Sequence, residues 1–208
     1  MAEQVALVDY GAGNLHSVEN ALRTVGAEVI TTHDPDVLRA ADRIVLPGVG
    51  SFRACAKGLR AVEGAIEAIE ERVRVGGAPF LGVCVGMQLL ATRGLEHGIT
   101  EGLDWIAGEV RLIDPHDESV KVPHMGWNDV ALTPHARGHR VVEEGEAYFL
   151  HSYHFHATSG RDVLAMTDHG GGLVAAIARD NVLGVQFHPE KSQRYGLELL
   201  ARFLEWRP

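Results

Sequence analysis

Short apolar runs closed by glycine or proline alternate with apolar positions at helical spacing through the first half of the chain. Val5–Val8 predicts a buried strand, and Asp9-Tyr10-Gly11-Ala12-Gly13 the turn that ends it. Leu15, Val18, Leu22 and Val25 recur at helical spacing, with Glu19 and Arg23 paired four apart, and Gly26 stops that helix. Glu28–Thr31 is a second strand. Asp34-Pro35 offers an N-cap and a first-turn proline to a short helix. Arg43–Leu46 is a third strand, ended by Pro47-Gly48-Val49-Gly50. Val62, Ala65, Ile66, Ile69 and Val73 mark an amphipathic helix. Ala78–Val83 reads as a fourth strand and Val85–Arg93 as the helix after it.

Strand–helix alternation of this kind predicts right-handed βαβ units and a largely parallel sheet. The second half changes character. Glu109–Ile113, Tyr148–Tyr153, Val163–Thr167, Leu173–Ala178 and Leu183–Phe187 read as strands with few helices between them, which predicts antiparallel additions to the sheet. A last helix carries Leu197, Leu200 and Phe203. The expected fold is α/β: three αβα layers around a mostly parallel mixed sheet, with extra antiparallel strands in the second half.

Composition narrows the function classes. A chain of 208 residues, 46% hydrophobic and 23% charged, is expected to form one domain over 1–208. Its net charge is −9, without the basic stripe of a nucleic-acid module. No apolar run reaches the roughly 20 residues that span a bilayer, and no signal peptide is read at the N-terminus. Two cysteines, Cys55 and Cys84, cannot form a disulfide framework, so a reducing cytoplasmic setting is expected.

Chemistry concentrates at Gly82-Val83-Cys84-Val85-Gly86. A cysteine at a strand–helix junction, with glycine two residues before and after, has the small neighbours that a crowded nucleophile turn requires. A helix N-terminus favours thiolate there. A thiol nucleophile needs a base and an orienting group. Phe187-His188-Pro189-Glu190 follows a strand, and an extended backbone through Pro189 would place His188 and Glu190 on one side. The glycines of Pro47–Gly50 permit a backbone N–H to turn toward an oxyanion. Cys55, between Ala54 and Ala56, reads as core packing. Gly11-Ala12-Gly13 lacks the third glycine and the acidic partner of a dinucleotide site. His151, His154 and His156 do not share one strand face, so no metal or other cofactor is expected.

Together these segments resemble the class I glutamine amidotransferases over essentially the whole chain. Asp9-Tyr10-Gly11-Ala12-Gly13-Asn14-Leu15, Pro47–Gly50, Gly82–Gln88, Phe187–Ser192 and, most specifically, Pro123-His124-Met125-Gly126-Trp127-Asn128 resemble the glutaminase subunits of imidazole glycerol phosphate synthases. The resemblance implies a catalytic triad of Cys84, His188 and Glu190, and oxyanion donors at the N–H groups of Val49 and Val85. It implies glutamine contacts from Gly50, Gln88, Glu96, Ser152 and Tyr153. It also implies a (β/α)₈-barrel cyclase as heterodimer partner, met near Asn14, Trp127 and Lys191, which receives the ammonia for histidine biosynthesis. The free chain is expected to keep the Val49 N–H turned away from the oxyanion position. The elbow and triad alone would also serve another amidotransferase subunit, such as one for pyridoxal phosphate synthesis, and, as a more distant alternative, a cysteine peptidase on a related fold. A non-catalytic subunit on the same fold would lack the intact triad.

Overall fold

The computed structural model describes residues 3–116, 119–136 and 138–208. Five strands form the parallel half of a nine-stranded sheet: β1 (Gln4–Val8), β2 (Glu28–Thr32), β3 (Arg43–Leu46), β4 (Phe80–Val83) and, from far along the chain, Val182–Val185. Their order is β2-β1-β3-β4 and then the late strand, which pairs with β4 through Gly184 opposite Gly82. The helices between them are α1 (Leu15–Thr24), α2 (Pro35–Ala40), α3 (Phe52–Ala61), α4 (Ala65–Glu70) and α5 (Val85–Gln88). From β1 the chain moves one way to β2 and then back past β1 to β3 and β4. Right-handed crossovers therefore put α1 on one face and α2 to α4 on the other. Accordingly α2 packs on α4, while α1 packs on the final helix α6 (Gln193–Glu205).

Two small strands, β5 (Arg93–Gly94) and β6 (Thr100–Glu101), precede β7 (Gly108–Leu112), β8 (His124–Leu132), β9 (Gly145–His151) and β10 (Tyr153–Ala157). β11 (Val163–Asp168) and β12 (Gly172–Arg179) lead into β13, the late strand Val182–Val185. β12, β11, β8 and β9 extend the large sheet in antiparallel fashion, whereas β10, β7, β5 and β6 form a second, four-stranded sheet. Leu7, Ile44, Val45, Leu81, Leu183 and Val185 are fully buried along the central strands. Both faces of that sheet are covered, which explains why these strands read as continuous apolar runs.

The structure corrects the sequence reading at four places. The helix expected from Val62 begins at Ala65, and Phe52–Ala61 is a separate helix before it; Val62 is extended and Gly64 left-handed, so the two cannot merge. The helix expected over Val85–Arg93 stops at Gln88. The carbonyls of Leu89, Leu90 and Ala91 accept N–H groups from Leu103, Trp105, Ile106 and Asp104, so no helical bonds are left for them to accept. The strand expected over Tyr148–Tyr153 is two strands in different sheets, divided at Ser152. Finally, Pro189–Lys191 is a 3₁₀ turn and not extended chain.

Candidate active site

The C-terminal ends of β1, β3 and β4 lie side by side where the chain reverses its direction across the sheet, the usual ligand crevice of an open α/β fold. The loops 9–14 and 47–51 and the elbow at Cys84 all emerge there. Cys84 has φ 55° and ψ −112°, a strained conformation for an L residue. The surrounding packing requires its glycine neighbours. A Cβ on Gly86 would lie 1.9 Å from the Leu46 carbonyl oxygen, and one on Gly82 would lie 2.7 Å from that of Gly86. The Cys84 N–H donates to the Val185 carbonyl at 2.8 Å, which ties the elbow to β13.

β13 leads directly into His188, whose N–H donates to the Tyr148 carbonyl at 2.9 Å. The 3₁₀ turn folds Glu190 back so that its Oε1 lies 2.8 Å from His188 Nδ1. The side chains are 4% and 2% exposed, which makes this a buried pair. Nδ1 faces the carboxylate, and Cys84 is the other group that acts on the charge of the ring. Burial alone would push the His188 pKa down. The hydrogen bonds and charges of Cys84 and Glu190 outweigh that effect and raise it to about 10. The second carboxylate oxygen, Glu190 Oε2, is buried and has no partner among the described residues.

A cavity of about 320 Å³ opens over these groups. It is lined by Cys84, His188, Val49, Gly50, Val85, Gln88, Glu96, Ser152, Tyr153 and Lys191, with His151, Pro123 and Leu150. The structure thus brings the expected nucleophile, base and oxyanion residues to one site, along with every expected glutamine contact. Glu190 stands behind His188, away from the lining. Gln88 Nε2 donates to the Tyr153 carbonyl at 2.9 Å and to Gln186 Oε1 at 3.0 Å. Glu96 Oε2 accepts the N–H of Phe52 at 2.7 Å, anchoring the end of the 47–51 loop.

The three expected interface residues fall around the mouth. Asn14 occupies the N-cap position of α1 beside the loop, with Gly13 packed against Pro47. Lys191 lines the opening, and its Nζ lies 5.7 Å from the Tyr148 ring centroid. Trp127 on β8 is 41% exposed.

In the 47–50 loop, the Gly48 carbonyl accepts the Val85 N–H at 3.3 Å. A trans peptide holds its C=O and N–H on opposite sides, so the Val49 N–H points away from that of Val85. The two expected oxyanion donors therefore do not converge in this conformation. Tyr10 and Cys55 hold the neighbouring carbonyls. The Tyr10 hydroxyl donates to Pro47 O at 2.6 Å and Cys55 Sγ donates to Val49 O at 3.3 Å. Burial raises both their pKa values, so both remain protonated donors.

Cys55 is buried core, as its alanine neighbours suggested, but it also tethers the loop. Gln186 escaped the sequence reading altogether. It is fully buried, and its Nε2 lies 3.7 Å from Cys84 Sγ. Its position two residues before His188, just past the strand that pairs with the elbow strand, was the available signal.

Comparison with known proteins agrees with this geometry. The family model described as "Glutamine amidotransferase class-I" matches residues 6–206. A glutamine amidotransferase structure superposes with a TM-score of 0.70 at 21% identity, covering 94% of this chain and 98% of that one. The structure of PurLQS from Thermotoga maritima gives 0.67 at 19% identity, covering 99% and 98%. Both establish the likeness of fold. Among curated proteins, the imidazole glycerol phosphate synthase subunit HisH of Zymomonas mobilis is 54% identical over 98% of this chain and 96% of its own length. That of Caulobacter vibrioides is 51% identical over 99% and 100%. The chain belongs to the class I glutamine amidotransferases and, within them, to the HisH subunits of imidazole glycerol phosphate synthase.

Proposed function

We propose that the protein hydrolyses glutamine at Cys84 and delivers the ammonia to a partner (β/α)₈-barrel cyclase, with which it forms the heterodimer that makes imidazole glycerol phosphate in histidine biosynthesis. The observation that carries this reading is the buried Cys84–His188–Glu190 arrangement at the floor of the cavity. Cys84, its proton held by His188, attacks the side-chain amide carbon as thiolate. The tetrahedral oxyanion is bound by the N–H groups of Val49 and Val85. His188 passes its proton to the amide nitrogen, the C–N bond breaks, and ammonia leaves a γ-glutamyl thioester on Cys84. Water then gives a proton to His188 and attacks the thioester. The C–S bond breaks, and glutamate and thiolate are released. Glu190 holds the imidazole orientation and stabilises its charge.

Glutamine sits between Gly50, Gln88 and Glu96 on one side and the backbone of Ser152 and Tyr153 on the other. Both hydrogens of the Gln88 amide are used within the protein, so its Oε1 is the end left to the ligand. For the oxyanion donors to converge, the Gly48–Val49 peptide must turn over. That single rotation brings in the Val49 N–H and frees the Val85 N–H from Gly48. One such donor is typically worth about 2.7–4 kcal/mol, so the flip can gate the rate by a hundredfold or more. Docking of the partner at Asn14, Trp127 and Lys191 is the event that favours the turned form. The whole chain acts as one amidotransferase domain, and its setting is the cytoplasm. Among the described residues, no helix is long and apolar enough to cross a membrane.

Cys84→Ala is expected to abolish glutamine hydrolysis in the assembled enzyme, while synthesis from added ammonium salt continues on the barrel. Glutamine hydrolysis near the wild-type rate in this variant would overturn the assignment.

A further inference from the structure

His124 on β8 and His151 on β9 are direct cross-strand partners, and neither belongs to the chemistry proposed above. His124 is 3% and His151 7% exposed. His124 Nδ1 lies 3.0 Å from His151 Nε2, His151 Nδ1 lies 2.9 Å from the Tyr153 carbonyl oxygen, and Asn128 Nδ2 lies 3.1 Å from His124 Nε2. Asn128 Nδ2 also donates to the Asp168 carbonyl at 2.7 Å.

Carbonyl oxygens only accept, so both ends of this chain are fixed. At one end, His151 Nδ1 must carry a hydrogen toward Tyr153. At the other, the Asn128 amide must present its NH₂ group to Asp168, and its second hydrogen then meets His124 Nε2. The middle follows: His124 Nε2 is bare, its Nδ1 carries the hydrogen, and His151 Nε2 accepts it. Every donor has one acceptor, and from the Asn128 amide onward the bonds run one way, through His124 and His151 to Tyr153. Burial holds both rings neutral: it lowers the His124 pKa to about 4, helped by His169, and the His151 pKa to about 3, helped by the neighbouring histidines.

We propose that Asn128, His124 and His151 are positioning residues, a one-directional hydrogen-bond relay that fixes the Ser152–Tyr153 segment of the substrate cavity from the partner-facing strand. The proposal rests on the reading of that cavity as the glutamine site. The Tyr153 carbonyl takes one hydrogen from His151 and one from Gln88, so both its lone pairs are used and its peptide plane is set. Gln88 continues to Gln186, and Gln186 to the Cys84 sulfur. At the other end, the relay occupies the inner side of the stretch of β8 whose outer side presents Met125 and Trp127, 66% and 41% exposed. Neutral rings suit this task, because an imidazolium at either position would put two donors face to face.

Two measurements test the proposal. Two-bond ¹H–¹⁵N spectra of the histidine-labelled wild-type chain should show His124 and His151 as neutral Nδ1–H tautomers at neutral pH. Finding either as the Nε2–H tautomer, or charged, overturns the relay. The second uses His124→Phe, which keeps a ring stacked between Phe149 and His169 but breaks the relay. In the complex with the barrel and its nucleotide ligand, glutamine KM should rise about tenfold with a smaller change in kcat, the pattern of lost ground-state positioning. Turnover with ammonium salt should match wild type and so certify the assembly. An unchanged KM in a folded variant overturns the positioning role. The tautomer spectra need no variant and stand even where His124→Phe does not fold. Wild-type complex that fails to hydrolyse glutamine at all would instead overturn the glutamine reading of the cavity.

Discussion

Cys84 holds a positive-φ backbone conformation that costs an L residue about 1–3 kcal/mol, and the fold sustains it through Gly82, Gly86 and the bond to Val185. Strain kept in place by such specific packing presents the sulfur at the cavity floor. The other half of the proposed chemistry is His188, whose charge is sustained by Cys84 and Glu190 against the effect of burial. Glu190→Gln removes a hydrogen-bonded negative charge that favours imidazolium. The His188 pKa should therefore fall from about 10 toward the ordinary value of 6.5. An NMR titration of that ring in wild type and variant measures the shift, and an unmoved pKa would contradict the role given to the carboxylate. Glutaminase activity should fall further in His188→Ala than in Glu190→Gln, because general acid–base groups contribute about 10²–10⁴-fold and an orienting group acts only through them.

Strands β8 and β9 carry a consequence for acid stability. The folded pKa values of His124 and His151, about 4 and about 3, lie below the ordinary 6.5. Between those values and 6.5 the unfolded chain binds protons that the folded chain refuses. The stabilisation is therefore complete above pH 6.5 and is lost as pH falls toward 4. Thermal midpoints should drop over this window, and His124→Phe should flatten the drop relative to wild type. Parallel curves for the two proteins would contradict the buried-neutral assignment.

The same elements show how much of the molecule the sequence makes legible. β1 to β4, α1 and α2 are legible because periodicity and capping are local, and the Asp34 side chain does accept the Asp36 N–H at 2.9 Å. The short α5 is not, because distant N–H groups from Leu103 to Ile106 take the carbonyls that would have extended it. Cys84, His188 and Glu190 stand out by motif. Gln186 does not, and neither do the contacts of Tyr10, His124 and His151, since each acquires its partner only when remote strands and loops meet. Pro189 misleads in the other direction: the turn it begins brings His188 and Glu190 together as well as extended chain would have.

At the scale of the molecule, the cavity opens among exposed apolar side chains: Val49, Val122, Met125, Trp127 and Leu150, each between 37% and 66% exposed. Val49 and Leu150 also line the cavity, so a partner seated on this rim would close the site and touch the oxyanion loop at once. A tryptophan at the centre of an interface is commonly a hot spot worth about 2 kcal/mol or more, so Trp127→Ala should weaken binding of the barrel by about thirtyfold. A calorimetric titration of the two subunits reads this directly, and unaltered affinity would move the interface elsewhere. Under the proposed function, regulation follows from the loop. In the conformation described, Gly48 occupies the Val85 N–H, and three consecutive carbonyls, of Pro47, Gly48 and Val49, are all held by the protein. A Cβ on Gly48 would lie 2.6 Å from the Gly86 nitrogen, so this held state itself depends on glycine there.

The proposed opening of glutamine by the Cys84 sulfur passes through an acyl intermediate. It is tested most directly by mixing the assembled complex with glutamine, quenching in acid during turnover, and mapping the digested chain by mass spectrometry. The expected result is one glutamyl group on the peptide containing Cys84, absent from Cys84→Ala and discharged when the quench is delayed past substrate exhaustion. A glutamyl group on Cys55, or steady hydrolysis with no adduct on Cys84 at any time, would contradict the account.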